Sequence, residues 1–103
     1  MITASRKKRV LVRRIEKSQS TSFQKKVWKA LLEIPRGQVR SYSWLARKIG
    51  HPSACRAVGN ALGKNPFAPE VPCHRVVSSH GIGGYTGGVL RKRWLLKKEG
   101  VRI

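Results

Sequence analysis

Residues 41–63 read SYSWLARKIGHPSACRAVGNALG and contain two short helical segments separated by a turn. Ser41 can cap a helix over residues 42–49, and Gly50 follows that helix. Pro52 fits the first turn of the next helix. That helix carries an apolar stripe at helical spacing and a closing glycine: Ala54, Ala57, Val58, Ala61, Leu62 and Gly63. This pattern predicts a helix-turn-helix, whose second helix usually enters a DNA groove.

The outward face of the second helix carries small and polar residues, Arg56, Gly59, Asn60 and Gly63. A glycine inside a helix costs about 1 kcal/mol relative to alanine, so Gly59 requires a reason. Close approach of a DNA backbone is one explanation, and close packing of another helix is the other. The sequence leaves both open, and the first makes this face a candidate DNA-binding surface.

The remaining pattern predicts a mostly α fold in a single small domain. Apolar residues recur at helical spacing over residues 23–34, and Thr21 with Gln24 fits a capping box before them. A last helix is predicted over residues 89–98, and residues 76–77 predict a short buried strand. We therefore expect a winged-helix-like arrangement with short strands, in which the active-site loop lies behind the recognition helix.

Charge is the dominant compositional feature. The 103 residues include 23 Lys and Arg but only 4 Asp and Glu, which gives a formal net charge of +19. Such a protein attracts a polyanion, with nucleic acid favoured over an anionic membrane surface. The sequence shows no long apolar run and no signal peptide, so we expect no membrane association. The chain has only two cysteines, which indicates a reducing compartment, either the cytoplasm near the nucleoid or a nucleus. No Cys and His residues are spaced as metal ligands, so we expect no metal and no cofactor.

Residues 1–22 are interpreted as a basic arm and linker, separate from a domain over residues 23–103. The run at residues 6–9, RKKR, is either a solvated flexible segment or a phosphate-contacting or localisation segment. Val10, Val12 and Ile15 indicate a short strand after it.

The richest chemistry lies at residues 71–77, VPCHRVV. Cys73 is followed by an imidazole and a guanidinium, and nearby positive charge lowers the pKa of a thiol. We therefore expect Cys73 to be a reactive thiolate, whereas Cys55 on the predicted helix is interpreted as structural. A Cys–His pair needs an acid to orient the imidazole, and the residues leave Glu70 and Glu99 open for that role.

A glycine-rich stretch, GIGGYTGG, occupies residues 81–88. It lacks the terminal Lys-Ser/Thr of a phosphate-binding loop, so a permissive backbone around a bound ligand is the better interpretation.

Taken together, these stretches resemble the C-terminal catalytic domain of the O6-alkylguanine-DNA alkyltransferases, over residues 23–103. VPCHRVV at residues 71–77 is that family's active-site signature. Supporting stretches, in matching order and spacing, are residues 37–42 (GQVRSY), 56–61 (RAVGNA), 65–66 (NP), 84–88 (GYTGG) and 94–100 (WLLKKEG).

The resemblance implies a catalytic group. Cys73 is expected to accept the alkyl group as a thiolate, and His74 to act on it as a base through a bound water. Glu99 is expected to orient His74, and Asn65 to brace the helix-turn-helix against the active site. Tyr85 is expected to assist departure of the guanine.

The resemblance also implies contacts to DNA. Arg56 is expected to fill the gap left by an extruded base, and Tyr42 to crowd the target phosphate. The remaining expected DNA contacts are Ala57, Gly59, Asn60 and Arg75. The flipped guanine is expected to meet the Val76 carbonyl, the Tyr85 hydroxyl and Thr86.

The implied activity is that of a methylated-DNA–protein-cysteine S-methyltransferase, which repairs O6-alkylguanine, and O4-alkylthymine, by one irreversible transfer per molecule. The expected partner is double-stranded DNA bound through its minor groove by a monomer. One alternative is a non-catalytic lesion sensor of the alkyltransferase-like type, whose members often carry tryptophan where this chain has Cys73. A generic basic chromatin or ribosomal protein is the other. We expect two departures from the family: no room for the N-terminal domain that many members carry, and a loop at residues 81–84 that is one residue shorter than in some members.

Overall fold

The computed structural model describes residues 4–78, 81–85 and 88–101 of the chain. Helices dominate these ranges, and the predicted mostly α domain with a helix-turn-helix is confirmed. In chain order the elements are α1 (Ala4–Lys17), α2 (Ser22–Leu31), β1 (Arg40–Ser41), α3 (Tyr42–Lys48), α4 (Cys55–Gly63), a 3-10 turn (Cys73–Arg75), β2 (Val76–Val77) and α5 (Val89–Lys98).

The N-terminal segment is a helix, so the predicted strand at Val10 and Val12 is wrong. Leu11 and Ile15 stand four residues apart, on one face of α1, and both are buried in the core. Val10, which suggested an alternating pattern, is half exposed. The apolar face of α1 packs with α2, whereas Lys7 and Arg9 of the basic run are exposed. The division of the chain after residue 22 stays a prediction.

Helix α2 begins as its sequence predicts, because the capping box is present. The Gln24 amide donates to the Thr21 hydroxyl at 3.0 Å, and the Thr21 amide donates to Gln24 Oε1 at 3.1 Å. Trp28 is buried on the inner face of α2, and its Nε1 donates to the Ala61 carbonyl at 2.9 Å. This bond joins α2 to α4 and satisfies a polar atom that burial would otherwise penalise.

The helix-turn-helix consists of α3 and α4. Ser41 caps α3 by accepting a hydrogen bond from the Trp44 amide at 3.0 Å. Gly50 adopts a φ of +81°, a conformation that glycine reaches without strain. Pro52 lies in the turn, and α4 begins only at Cys55. The placement of Pro52 in the first turn of α4 is therefore wrong.

A parallel pair of two-residue strands connects the helix-turn-helix to the Cys73 segment. Arg40 pairs with Val76, and Ser41 pairs with Val77. Because β1 runs directly into α3 and β2 directly follows the 3-10 turn, this pairing fixes Cys73 relative to the two helices. None of the helices in the described part of the chain is long and apolar enough to span a bilayer.

Candidate active site

Cys73 lies at the first position of the 3-10 turn, and its side chain is almost fully buried. It forms part of the wall of a cavity of about 350 Å³ between α4 and the 81–85 segment. The lining residues are Tyr42, Gly59, Leu62, Gly63, Cys73, Gly84 and Tyr85. This volume lies within the range of small-molecule sites in proteins, so a flat base could reach the sulfur.

Burial raises the pKa of the Cys73 thiol. Hydrogen bonding with Asn65 and Tyr85 and the positive charge of Lys92 act in the opposite direction but do not outweigh burial. The expectation that cationic surroundings lower this pKa is therefore wrong for the resting site. A protonated thiol is a poor nucleophile, so the site needs a base.

His74, the next residue in the chain, is buried and carries the imidazole expected to act as that base. Its Nε2 lies 3.1 Å from Glu99 Oε2, and its Nδ1 has no hydrogen-bond partner among the described residues. Burial lowers the pKa of His74, with Glu99 opposing the effect, so the imidazole is neutral near pH 7. An ionised carboxylate only accepts hydrogen bonds, which assigns the proton to Nε2 and leaves the Nδ1 lone pair free to accept another proton.

Glu99 is held in place by Arg75. Arg75 Nε donates to Glu99 Oε1 at 3.0 Å, Nη2 donates to Glu99 Oε2 at 2.7 Å, and Nη1 donates to the Ile34 carbonyl at 2.8 Å. Burial alone would raise the pKa of Glu99, but its bonds and charge interactions with Arg75 and His74 hold that pKa below its ordinary value. The structure thus brings Glu99 to His74, whereas Glu70 is exposed.

The Arg75 guanidinium is mostly buried and is engaged by Glu99 and by the Ile34 carbonyl. The expected contact of Arg75 with DNA stays a prediction.

Asn65 spans the loop that precedes Cys73. Its Nδ2 donates to the Val71 carbonyl at 2.8 Å, and its Oδ1 accepts from the Phe67 amide at 2.9 Å. Since α4 ends at Gly63, Asn65 ties the end of the recognition helix to the Cys73 segment.

The two tyrosines of the site face the same cavity. Burial raises the pKa of the Tyr85 phenol, and the nearby Cys73 thiol acts in the same direction. Burial also raises the pKa of Tyr42, while the backbone of Gly84 opposes this effect. Gly83 adopts a φ of +77°, and a Cβ there would lie 3.0 Å from the Tyr42 hydroxyl, so the loop packs tightly on this ring. Thr86, the other predicted pocket residue, lies outside the described residues.

Lys92 was missed by the sequence reasoning. It is fully buried, and its Nζ donates to the Val76 carbonyl at 2.6 Å and to the Gly84 carbonyl at 3.0 Å. Burial lowers its pKa to about 8. Lys92 thus connects β2 with the 81–85 segment. It occupies the Val76 carbonyl, which was expected to contact the flipped guanine. Its position three residues before the buried Leu95 was the available signal for an inward-facing side chain.

The outward face of α4 carries the predicted DNA contacts Arg56, Ala57 and Asn60, all exposed. A Cβ added at Gly59 would meet no atom within 4 Å. Close helix packing therefore does not explain this glycine, and Gly59 lines the cavity instead. Among the described residues, no three His, Cys, Asp or Glu side chains cluster as metal ligands.

The fold and site define a helix-turn-helix domain with a buried thiol that lines a cavity and, next to it in sequence, an imidazole paired with a carboxylate. Residues 22–101 match the family model described as the DNA-binding domain of 6-O-methylguanine DNA methyltransferase. The chain belongs to this family.

The chain is 56% identical over 81 residues to a probable methylated-DNA–protein-cysteine methyltransferase of Acanthamoeba polyphaga mimivirus, covering 79% of this chain and 54% of that protein. It is 56% identical over 81 residues to the methylated-DNA–protein-cysteine methyltransferase of Shigella flexneri, covering 78% and 47%. The chain therefore spans about half the length of these curated relatives.

Two solved structures extend the comparison. Mycobacterium tuberculosis OGT in complex with DNA aligns with a TM-score of 0.76 and 56% identity, over 79% of this chain and 51% of that chain. Schizosaccharomyces pombe Atl1, in complex with damaged DNA containing O6-carboxymethylguanine, aligns with a TM-score of 0.72 and 38% identity, over 84% and 82%.

Proposed function

We propose that this protein repairs alkylated DNA by direct reversal, transferring an alkyl group from O6 of guanine, or O4 of thymine, to Cys73. The observation that carries the proposal is a buried thiol in the wall of a cavity, followed in the chain by a buried imidazole whose Nδ1 has no hydrogen-bond partner among the described residues. Membership of the family supports it, as do relatives named for this reaction.

The first step is extrusion of the damaged base, because O6 is inaccessible to a protein thiol while the base stays stacked. Extrusion costs a few kcal/mol. Arg56 projects from the exposed face of α4 and enters the stack in place of the base, which offsets part of this cost. The guanine then enters the cavity between α4 and Tyr85.

The second step moves the thiol proton to His74 Nδ1, directly or through one water molecule. The imidazolium that forms is stabilised by Glu99, which Arg75 holds in its ionised form. Because the pKa of the thiol is raised by burial, ionisation is coupled to this transfer rather than complete beforehand.

In the third step the Cys73 sulfur attacks the alkyl carbon, an S–C bond forms and the C–O6 bond breaks. The bonding electron pair goes to guanine O6, and the Tyr85 hydroxyl donates a hydrogen bond, or its proton, to the departing base. Guanine and a thioether are the products. A thioether is not readily cleaved, so each molecule reacts once. All atoms and electrons of this step come from the protein and the alkylated base, so the reaction requires no cofactor or metal.

We further propose that α4 binds the minor groove of double-stranded DNA. Ala57 and Gly59 are small, which allows the helix axis to approach the backbone in a narrow groove. The cavity and the proton-accepting group are built from one chain, which supports a monomer. The strong positive charge supports a location with DNA, in the nucleoid region of the cytoplasm or in a nucleus, rather than at a membrane.

The second candidate is a lesion sensor, favoured by the similar length and fold of Atl1. Cys73 argues against it, because a thiol beside a base is not required for binding alone.

The test is incubation with a duplex that contains O6-methylguanine, followed by intact mass and peptide mapping. We expect the gain of one methylene unit on Cys73, no gain in Cys73→Ser, and an unchanged gain in Cys55→Ser. Tight binding of the lesion without any gain in mass would support the sensor. Equal binding to plain and alkylated DNA at fixed salt would indicate a generic basic protein.

A further inference from the structure

A second cavity, of about 230 Å³, is also lined by Cys73. Leu62, Cys73 and Tyr85 line both cavities, so the two spaces adjoin at these residues. Arg91, at the start of α5, is the one charged residue that lines the second space. A cation therefore borders a compartment beside the nucleophile.

The Arg91 guanidinium has no carboxylate partner among the described residues. Its ring contact is with Trp94, whose centroid lies 5.8 Å from the guanidinium carbon. The Arg91 charge also reaches the Tyr85 phenol and acts to lower the pKa of that phenol, although burial raises it overall. The charge is thus directed at the active site without being neutralised there by an acid.

The geometry of the reaction assigns a use to the side compartment. In a displacement the sulfur, the attacked carbon and the departing O6 lie close to one line. Any group attached to that carbon must project sideways from this line. The guanine fills the first cavity, so the remainder of a larger alkyl group has to occupy space beside the sulfur.

We propose that the second cavity is a subsite for alkyl adducts that end in an anionic group, with Arg91 pairing with that group. O6-carboxymethylguanine is the simplest such adduct. This inference rests on the proposed transfer reaction and specifies its substrate class.

Two features favour an anionic group over a neutral one. A guanidinium can hold a carboxylate through two parallel hydrogen bonds, which adds direction to the charge attraction. Leu62, Ala68 and Pro69 line the compartment without polar side chains, and the Asn65 amide already donates to the Val71 carbonyl, so Arg91 is the one cation that lines it. A plain alkyl chain would fit against these walls but gain nothing from the cation.

The chemistry balances without a further reactant. The Cys73 sulfur bonds to the methylene carbon, the C–O6 bond breaks, and its electron pair leaves with guanine, which takes up one proton. The product is S-carboxymethylcysteine, whose carboxylate stays beside Arg91.

A phosphate of the DNA backbone would present the same chemistry to Arg91, so the experiment must separate the two sources. Single-turnover transfer rates are measured on two duplexes of one sequence, one with O6-methylguanine and one with O6-carboxymethylguanine. The proteins are the wild type, Arg91→Gln, Arg91→Lys and Arg93→Gln, the last a matched exposed cation of α5.

We expect Arg91→Gln to slow transfer of the carboxymethyl group about 3- to 10-fold more than transfer of the methyl group. Arg91→Lys should retain part of the difference, and Arg93→Gln should leave the ratio of the two rates unchanged. Circular dichroism confirms that each variant is folded.

Equal slowing on both duplexes would assign Arg91 to the backbone and overturn the proposal, as would no slowing on either. If the wild type transfers neither group, the proposed function itself fails. If it transfers methyl and the ratio is insensitive to Arg91, only the subsite fails.

Discussion

The Arg75 guanidinium holds the Glu99 carboxylate through two hydrogen bonds, Nε to Oε1 at 3.0 Å and Nη2 to Oε2 at 2.7 Å. Glu99 Oε2 also faces His74 Nε2 at 3.1 Å. A chain with 23 basic and 4 acidic residues thus places one of its few carboxylates against His74, the residue that follows Cys73. The arrangement keeps Glu99 ionised and fixes the ring of His74, so its removal should affect both folding and catalysis.

Arg75→Gln should lower the free energy of unfolding by about 3 kcal/mol, because it leaves a mostly buried carboxylate without its charged partner. The measurement is urea denaturation at pH 7. The control is Lys8→Gln, which removes the exposed Lys8–Glu33 pair at 2.7 Å and should cost less than about 1 kcal/mol. Equal effects of the two substitutions would show that the Arg75–Glu99 pair carries no special weight.

Glu99→Gln should change the pH dependence of transfer as well as its rate. Glu99 acts to raise the pKa of His74, which burial nevertheless holds below 6.5. Without the carboxylate, that pKa falls further, so the acid side of the rate profile should move to lower pH. The maximal rate should fall at least about tenfold, since the imidazolium loses its stabilising partner.

The matched control for this profile is Glu70→Gln, since Glu70 is an exposed acid three residues before Cys73. We expect it to leave both the rate and the profile unchanged. A shift of the acid side to higher pH in Glu99→Gln would contradict the role given to Glu99.

Lys92→Met should alter how stability depends on pH. The pKa of Lys92 is about 8 when folded, against 10.5 for an ordinary lysine. Below pH 8 both states are protonated, and the folded state bears the full cost of burying the charge. Between pH 8 and 10.5 the unfolded chain keeps a proton that the folded chain has lost, so the Lys92 contribution to the free energy of unfolding rises with pH.

From pH 8 to pH 10.5 the free energy of unfolding of the wild type should therefore rise by roughly 3 kcal/mol relative to that of Lys92→Met. Urea denaturation at several pH values measures the difference. Lys97 is an exposed lysine of the same helix. The free energy of unfolding of Lys97→Met should differ from that of the wild type by the same amount at every pH. A constant difference for Lys92→Met too would show that the buried ammonium keeps its ordinary pKa.

Local patterns predicted well those features that depend on residues close in sequence. The Thr21 and Gln24 cap and the Ser41 cap both require groups three residues apart, and the structure contains both. The helix-turn-helix follows from the same kind of signal. Resemblance brought His74 into the site through the signature at residues 71–77, and Glu99 through the stretch at residues 94–100. The structure places the two in contact.

Features that depend on burial could not be predicted in this way. The sequence shows charges near Cys73 but not the burial that raises its pKa. Helix α1 was mistaken for a strand because apolar residues alternate with others around Val10 and Val12. In the structure the buried residues of this helix are Leu11 and Ile15. Arg75 is adjacent to His74 in sequence, yet its partners lie 24 and 41 residues away.

Ile15→Ala should test whether α1 belongs to the folded core. Ile15 is fully buried, so its truncation should lower the free energy of unfolding by about 2–4 kcal/mol. Val10→Ala on the same helix removes a half-exposed side chain and should change stability by less than about 0.5 kcal/mol. Urea denaturation of the full chain measures both changes in the free energy of unfolding. A negligible effect of Ile15→Ala would mean that α1 is detached from the core in solution.

Arg56→Ala should slow repair without unfolding the domain. Its side chain is exposed on α4, so the free energy of unfolding should change by less than about 0.5 kcal/mol. The single-turnover rate on a paired O6-methylguanine should fall about tenfold, because base extrusion loses the side chain that fills the gap. The deficit should shrink when the lesion lies in single-stranded DNA, where little unstacking is required. A loss of the same size on both substrates would show that Arg56 contributes general attraction to DNA rather than extrusion of the base.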